Sequence, residues 1–423
     1  MKTMKSLCGM LAVLAFTACS NDSDEAAGND NHIWHVSLTA SMGDATNRAL
    51  SAVGENIAAS FAAGDVVEVV RTDGSPVGPL TAKTTGASTT LEGNISGMFA
   101  ADEVLKLRYR SATANYDGQE GTLPGIAAGQ DYAEGTLTVK TADPLTFESN
   151  SVTLKSKQSI TKFSFNDGTN PISVKTFGIA ATGLVQSIAA NGTETVGAVT
   201  GTLSSASNEV YVALRNKETG TKTYSFTIQD KDGNWYIFTK DANLTNGKNY
   251  TATVSMTKLD NLTSPYTEGA VGVIDGLPAI VVDFSGTKKA VALMNTGALC
   301  PEHYGKYYTF ANQSSGLKDH WYVPTQAELT ALAGKTKAWV TQNGVNGGLF
   351  TIGSEKLFLP AAGYYDTDGT PGFLYVTTYC YYWSSTESGG SGTILNFDKN
   401  NLASINSRQT KHGLTVRPFH SLP

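Results

Sequence analysis

Cysteine is scarce. There are four in 423 residues, and Cys8 and Cys19 both fall within the first nineteen. There is no C-x-x-C and no His/Cys cluster at zinc spacing, which excludes a zinc-organised fold of the usual kinds. Cys300 and Cys380 remain, and their spacing leaves open whether they pair. A basic stripe is also missing. Lys and Arg number 31 against 37 Asp and Glu, a net charge of −6, so nothing is present to neutralise a run of phosphates and nucleic acid is not an expected partner. Beyond the first eighteen residues no apolar run approaches the length needed to cross a bilayer. Long periodic helices are nearly absent. No G-x-S-x-G or other local signature of an activated nucleophile occurs, and the six His are scattered. Catalysis, a cofactor and a resident metal are therefore not expected.

The N-terminus is informative. Lys2 and Lys5 precede an apolar run over residues 7–18, too short to span a membrane and organised like a secretory signal. Its end, Phe16-Thr17-Ala18-Cys19, resembles a lipobox, which implies cleavage before Cys19 and its acylation. Buried acyl chains at roughly 0.8 kcal/mol per CH₂ would then tether the chain to the outer membrane. Phe16 stands where Leu is usual, so a plain signal peptide is the alternative. Ser20-Asn21-Asp22-Ser23-Asp24-Glu25 reads either as a solvated tether or as a surface-export tag.

Short alternating runs bounded by turn residues, with 43 Gly in the chain, argue for β-sandwich domains. Trp34, Val36, Leu38 and Ala40 alternate with polar residues as a half-buried strand. Residues 61–70 read as a turn feeding a strand, and apolar alternation recurs at Leu105/Leu107/Tyr109, Val152/Leu154 and Phe163/Phe165. From Pro171 a second cycle begins. Asp230-Lys231-Asp232-Gly233 predicts a hairpin, and residues 250–256 predict a closing strand. Residues 260–269 read as a linker. The last third differs, since ten of the 18 Tyr lie beyond Cys300. It carries the one convincing helix, over residues 325–333. Thr325 caps it with Glu328 three residues on, Pro324 stops the strand before it, and Leu329 and Leu332 face inward.

The first 260 residues resemble the fimbrillins, the type V pilins. The resemblance rests on the 34–40 strand, on Asn47-Arg48-Ala49 directly after it, on the 61–70 block and on the 247–256 ending. It implies that a trypsin-like, Arg-specific protease cuts between Arg48 and Ala49, that the strand before the cut leaves, and that a strand from another pilin subunit replaces it. Physically, the loss of this strand exposes an apolar groove with unpaired ladder groups, which invites strand addition. The plainer alternative is that Arg48 is a solvated loop residue.

The C-terminal third is similar to a bacterial branch of the C-type-lectin-like superfamily, related to the domain of formylglycine-generating enzyme. Six ordered blocks carry this: Asn295-Thr296-Gly297-Ala298, residues 301–308, Trp321-Tyr322-Val323-Pro324-Thr325-Gln326-Ala327-Glu328-Leu329, Leu359-Pro360-Ala361-Ala362-Gly363-Tyr364-Tyr365, Tyr381-Tyr382-Trp383-Ser384-Ser385-Thr386 and Val416-Arg417-Pro418-Phe419. The resemblance implies core roles for Trp321 and Trp383 and a ligand face between the last two blocks. Neither Cys300 nor Cys380 matches that enzyme's catalytic cysteine motif.

Within 388–411, Ile394, Leu395, Phe397, Leu402 and Ile405 read as structural. Ser388, Asn396, Asp398, Asn400, Asn401, Ser404, Asn406, Gln409 and Lys411 offer adaptable hydrogen bonds suited to a glycan or protein ligand. A polar hairpin obeying turn preferences is the plainer reading. Tyr364, Tyr365, Tyr375, Tyr379, Tyr381 and Tyr382 form a second set. Strand alternation predicts one buried and one exposed ring in each Tyr-Tyr pair and leaves open which is which; Tyr365, Tyr375 and Tyr381 are taken as ligand candidates. Asp366-Thr367-Asp368-Gly369 begins like a calcium loop but lacks its later ligands.

The expected architecture is mainly β, with two tandem β-sandwich pilin domains followed by an α+β C-type-lectin-like domain. Residues 1–18 are the leader, 19–48 the tether and removable strand, 49–168 and 169–260 the sandwiches, 261–270 the linker and 271–423 the lectin-like domain. The expected function is that of a tip subunit of a surface fimbrium, which accepts a strand but donates none. A non-polymerising surface lipoprotein and an anchor or accessory pilus subunit are the alternatives.

Overall fold

The computed structural model describes residues 32–43, 52–53, 56–57, 60–109, 111, 113–368, 371–400 and 403–422. Cys19, Arg48, Ala49, Gly369, Asn401 and Leu402 lie outside them. The chain is mainly β and divides into two compact units.

The first unit comprises described residues up to Met42 together with Phe61–Ala112 and Glu134–Leu154. Its strands are β1 (Ile33–Met42), β2 (Val66–Arg71), β3 (Pro76–Ala82), β4 (Ser88–Ser96), β5 (Val104–Tyr109), β6 (Ala133–Ala142), β7 (Leu145–Phe147) and β8 (Ser151–Ser156). They form one sheet in the order β7-β6-β8-β1-β4-β3-β2-β5, which a further β5–β6 pairing closes on itself. The alternation read at Trp34, Val36, Leu38 and Ala40 sends all four side chains inward. β1 runs antiparallel to β4 from Ile33 opposite Ser96 to Ser41 opposite Ser88, and parallel to β8 from Thr39 opposite Ser151. A strand near the start of the chain thus occupies an interior position, with partners on both sides.

The second unit includes Thr113–Ala133 and everything from Lys155 onward. Its short helix, α1 (Leu123–Gly129), is capped by the Thr122 hydroxyl accepting from Gly125 N–H and carries Pro124 in its first turn. Strands β9 (Ser159–Asn166), β10 (Val174–Ala180), β11 (Leu184–Ile188), β12 (Glu194–Val196), β13 (Val199–Ser207), β14 (Glu209–Asn216), β15 (Lys222–Asp230), β16 (Trp235–Ala242), β17 (Asn249–Ser255) and β18 (Thr257–Lys258) follow. They make two sheets, β12-β11-β14-β9-β17 and β13-β10-β15-β16-β18. Phe163, Phe165, Phe177, Val212, Phe226 and Ile228 from the two sheets share one core. β9 lies on the first-domain side of the expected 168/169 boundary, yet it pairs with β14 and β17. The expected hairpin forms between β15 and β16. Asp230 organises its turn, accepting from the backbone N–H of Asp232 and Asn234, each at 2.9 Å.

The third segment carries β19 (Val271–Ile274), β20 (Leu277–Phe284), β21 (Thr287–Ala292), β22 (Trp321–Tyr322), α2 (Gln326–Ala333), β23 (Lys337–Gln342), β24 (Val345–Ile352), β25 (Glu355–Pro360), β26 (Tyr364–Asp366), β27 (Gly372–Leu374), β28 (Tyr379–Ser388), β29 (Ser391–Asp398), β30 (Ser404–Gln409) and β31 (Phe419–Ser421). The sheets are β19-β20-β21-β31-β22, β23-β24-β25, β26-β27 and β28-β29-β30. β31 is therefore paired on both sides. The capping box of α2 is present: Glu328 N–H donates to Thr325 Oγ1, and Thr325 N–H donates to Glu328 Oε2 at 2.7 Å. Leu329 and Leu332 are fully buried, as their spacing predicts, and Trp321 and Trp383 are core residues. Arg417 is fully buried, its two terminal nitrogens donating to the carbonyls of Ala292 and Phe358, both at 3.0 Å.

The fold bears on three of these readings. Residues 260–269 are hydrogen-bonded rather than loose. Leu262 N–H donates to Val273 O at 2.8 Å, Gly269 N–H donates to Val281 O at 2.9 Å, and Lys335 pairs with Glu268. Tyr381 and Tyr382 do not split into one buried and one exposed ring. Both are buried, because β28 is covered on each face: Tyr382 and Cys380 lie in the core with Leu329 and Phe397, while Tyr381 and Trp383 lie in another with Tyr364 and Leu414. Cys300 and Cys380 are both buried free thiols. Burial pushes each thiol well above its ordinary value, leaving neither as a thiolate nucleophile.

Contacts also join the sandwich to the third segment within the second unit. Trp235 Nε1–H donates to Gly276 O at 3.0 Å, Asn343 Nδ2–H donates to Ser225 Oγ at 2.9 Å, and His303 Nε2 lies 3.2 Å from Asp117 Oδ2. A cavity of about 210 Å³ lies on this seam, lined by Trp235, Leu277, Met294 and Asn295 among others.

Candidate ligand-binding face

One face of the β28-β29-β30 sheet brings the sequence candidates together. Register places Tyr379 opposite Asp398, Tyr381 opposite Asn396, Asn396 opposite Ser404, and Ile394 opposite Asn406. Since side chains alternate along a strand, Tyr379, Tyr381, Asn396, Asp398, Ser404, Asn406 and Arg408 share this face, and Cys380, Tyr382, Leu395, Phe397 and Ile405 take the other. The apolar set packs on the core beneath α2; on the opposite face Tyr381, Trp383 and Ile394 are themselves buried with Tyr364 and Leu414, while Asn396, Asp398 and Ser404 are half-buried and Asn406 is exposed.

Asn396 is the centre of the amide network. Its Oδ1 accepts from Ser404 Oγ at 2.8 Å and from Asn406 Nδ2 at 2.5 Å. Asp398 accepts from Asn400 N–H at 2.6 Å, fixing the turn after β29, and its charge raises the Tyr379 phenol above the ordinary value. Ser404 is half-buried, while Asn400, Asn406 and Gln409 are exposed. Ser388 is exposed at the far end of the β28–β29 hairpin, opposite Ser391, and belongs to the other end of the sheet. Lys411 is exposed and paired with Asp368.

The aromatic rings form a connected set. Tyr379 stacks on Tyr381 with centroids 5.6 Å apart, and Tyr375 meets Tyr379 edge-on at 5.2 Å. Tyr364 bridges Tyr375 at 5.9 Å and Tyr381 at 5.5 Å. Tyr375 is 52% exposed, and its neighbours Phe373 and Leu374 are also open to solvent. Tyr365 is half-buried, edge-on to Phe373 at 5.1 Å. Tyr381 lies beneath the surface, and burial raises its phenol to about 12. It supports the face without forming part of its skin.

The loop that presents Tyr375 is held in a costly shape. Tyr375 and Thr377 adopt left-handed φ of 59° and 71°, a region non-glycine residues seldom occupy. Gly363, with φ +60°, lets this loop approach, since a Cβ there would sit 2.2 Å from Leu374 O.

Two residues packed against this face were not singled out from the sequence. Arg408 places its guanidinium 3.9 Å from the Tyr364 ring centroid and 5.3 Å from that of Tyr381, with Nε buried and unpartnered. His412, also buried, stacks on Tyr364 at 5.2 Å. Its Nε2 lies 3.3 Å from both Asp366 Oδ1 and Asp368 Oδ2. The incipient calcium loop is thus met by an imidazole, and by Lys411 on Asp368. Strand alternation around Asn406 would have placed Arg408 on this face. Nothing local points from Tyr364 to His412, 48 residues later. The combination of exposed rings, a stacked cation and amide groups suits a ligand that offers both apolar faces and hydroxyl or amide groups.

No family model matches the chain, and no curated protein matches it. Solved structures are similar to it at low identity. A protein from Bacteroides uniformis with a proposed cell-adhesion role is 15% identical over 53% of this chain and 96% of its own, with a TM-score of 0.32. A fimbrial assembly protein from Parabacteroides distasonis is 12% identical over 62% of this chain and 96% of its own, at 0.28. A fimbrial protein from Bacteroides ovatus is 12% identical over 92% and 98%, at 0.22. These structural neighbours carry fimbrial and cell-adhesion descriptions, and the superpositions are loose.

Proposed function

We propose that this chain is a cell-surface adhesion subunit of a fimbrium, which exchanges its first strand for one from another pilin subunit and presents the Tyr375–Asn406 face to a glycan or protein ligand. The observation that carries the reading is β1. It fills an interior slot between β4 and β8 and buries Trp34, Val36, Leu38 and Ala40. Each large side chain among these contributes about 1.5–3 kcal/mol of burial, so an emptied slot would favour refilling by a strand of similar pattern. In this reading Cys19 carries the lipid that brings the precursor to the outer membrane, and an Arg-specific, trypsin-like protease cuts between Arg48 and Ala49. Pairing of β31 on both sides leaves Phe419–Ser421 committed within its own sheet, which supports a strand-accepting, tip-located subunit.

Incubating the purified precursor with a trypsin-like protease is expected to produce a new N-terminus at Ala49 and to release the 33–42 strand. A synthetic peptide with the β1 pattern is then expected to bind the cut chain. An uncut precursor, or a cut chain that keeps its own strand against excess peptide, would sink the exchange reading. The two-sided pairing of β1 favours a second reading, a non-polymerising surface lipoprotein with a permanent first strand. Retention of residues 33–42 on cells would select it, and immunogold labelling at filament ends would select the first. A glycan array probed with the full chain, with Tyr375→Ala and Asn406→Ala as controls, tests the ligand face.

A further inference from the structure

Asp275, His320 and His420 lie 45 and 100 residues apart in sequence, yet the fold brings one ligand atom from each within 4.8 Å of the others. His320 Nδ1 and His420 Nε2 each stand 2.7 Å from the same oxygen, Asp275 Oδ2. Asp275 sits in the turn between β19 and β20, His320 immediately precedes β22, and His420 is the middle residue of β31. Asp275 and His320 both adopt left-handed φ, 41° and 67°. His420 is fixed in the sheet opposite Ala290 and Trp321, with the Trp321 ring 5.2 Å away. Lys318, nearby, donates to the Gly276 carbonyl at 2.7 Å.

We propose that Asp275, His320 and His420 bind one divalent transition-metal cation of the zinc class, with water completing the coordination. Two imidazole nitrogens and one carboxylate oxygen are the donor set that borderline cations prefer, and three protein ligands with an open fourth position is a familiar zinc arrangement. Hydrogen bonds to Asp275 hold the three groups together. Ligands about 2.0–2.1 Å from a tetrahedral ion stand roughly 3.3 Å apart, so each imidazole–Asp275 separation of 2.7 Å would widen by about half an ångström on binding. His320 supplies the slack, because its side chain is 75% exposed and free to shift while His420 stays anchored.

The site ties the β19–β20 turn and the approach to β22 onto β31, so its role is to clamp this sheet. His420 Nδ1 is buried without a hydrogen-bond partner. A ligating imidazole lacking that outer support binds about 10–100-fold more weakly, so moderate affinity is expected. The buried thiols of Cys300 and Cys380 do not contribute.

The test uses the purified full chain, stripped with a chelator and titrated with Zn²⁺ in a calorimeter, with the unfolding temperature followed in parallel. One Zn²⁺ site is expected that is lost in His320→Ala and in Asp275→Asn, and unchanged in His412→Gln, which alters the separate Asp366–Asp368–His412 cluster. Zinc at a hundredfold excess over its dissociation constant is expected to raise the unfolding temperature by on the order of 5 °C, and His320→Ala to abolish the shift. His320→Ala removes an exposed ring and so leaves folding intact. No Zn²⁺ binding up to 100 µM (roughly the affinity limit of a useful clamp), binding unaffected by His320→Ala, or binding lost only in His412→Gln would each overturn the proposal.

Discussion

At the scale of single residues, the third segment depends on side chains whose polar atoms are matched to backbone carbonyls inside the core. Trp383 is fully buried, donates from Nε1 to Tyr308 O at 2.7 Å and meets Phe310 edge-on. Trp383→Ala is expected to cost about 3–5 kcal/mol, read as a lower denaturant midpoint, because it leaves a cavity together with an orphaned carbonyl. Glu328 shows how competing terms settle. Burial pushes its carboxyl up, but the Lys289 ammonium with the Thr325 and Tyr322 donors outweighs this and holds it below the ordinary value. A depressed carboxyl stabilises the fold above its unfolded value, near 4.3, and loses that contribution as pH falls through the lower folded value. Glu328→Gln is therefore expected to destabilise by about 1–2 kcal/mol at pH 7, with the gap to the parent closing below about pH 4 in urea titrations.

At the scale of elements, α2 and β1 were the best-specified pieces, for different reasons. α2 declares itself locally. Thr325 and Glu328 satisfy each other's backbone donors, and Leu329 and Leu332 fall on one side. Thr325→Ala is expected to cost about 0.5–2 kcal/mol through the lost cap, with helix content in the remainder unchanged by circular dichroism. β1 declares its faces by period-two alternation, but alternation gives no neighbour. That β4 and β8 flank it follows from closure of the whole sheet. Leu38→Ala, deep in that slot, is expected to cost about 2–5 kcal/mol in the uncut chain. α1 was missed because seven residues with two Gly and one Pro carry no helical period, and the Thr122 cap is its one local signal. The Tyr381-Tyr382 expectation failed because alternation predicts opposite faces, whereas exposure depends on what covers each face.

At the scale of the molecule, the second unit joins a sandwich to the third segment through Trp235, Asn343 and His303. We expect a fragment restricted to residues 271–423 to unfold at lower urea than the same residues in the full chain, because it would expose the cavity-lined seam and lose the Trp235 and Ser225 hydrogen bonds to Gly276 and Asn343. Coincident midpoints would show that the segment stands alone. The candidate face follows the same logic. Asn396, Ser404 and Asn406 were legible as a polar group because they lie on adjacent hairpin strands. Their link to Tyr364, Tyr375 and His412 depends on a distant hairpin folding across them.

The sequence by itself determined what short-range physics controls: the β alternation, the Thr325 cap, the Asp230 turn, and the pool of amide and tyrosine side chains from which a ligand face could be drawn. The tertiary structure alone decided which of those groups meet. Asp275, His320 and His420 converge, Arg408 stacks on Tyr364, Tyr381 sinks and both thiols stay unpaired, because strand order and the covering of each sheet face arise from burying the whole chain's apolar surface at once.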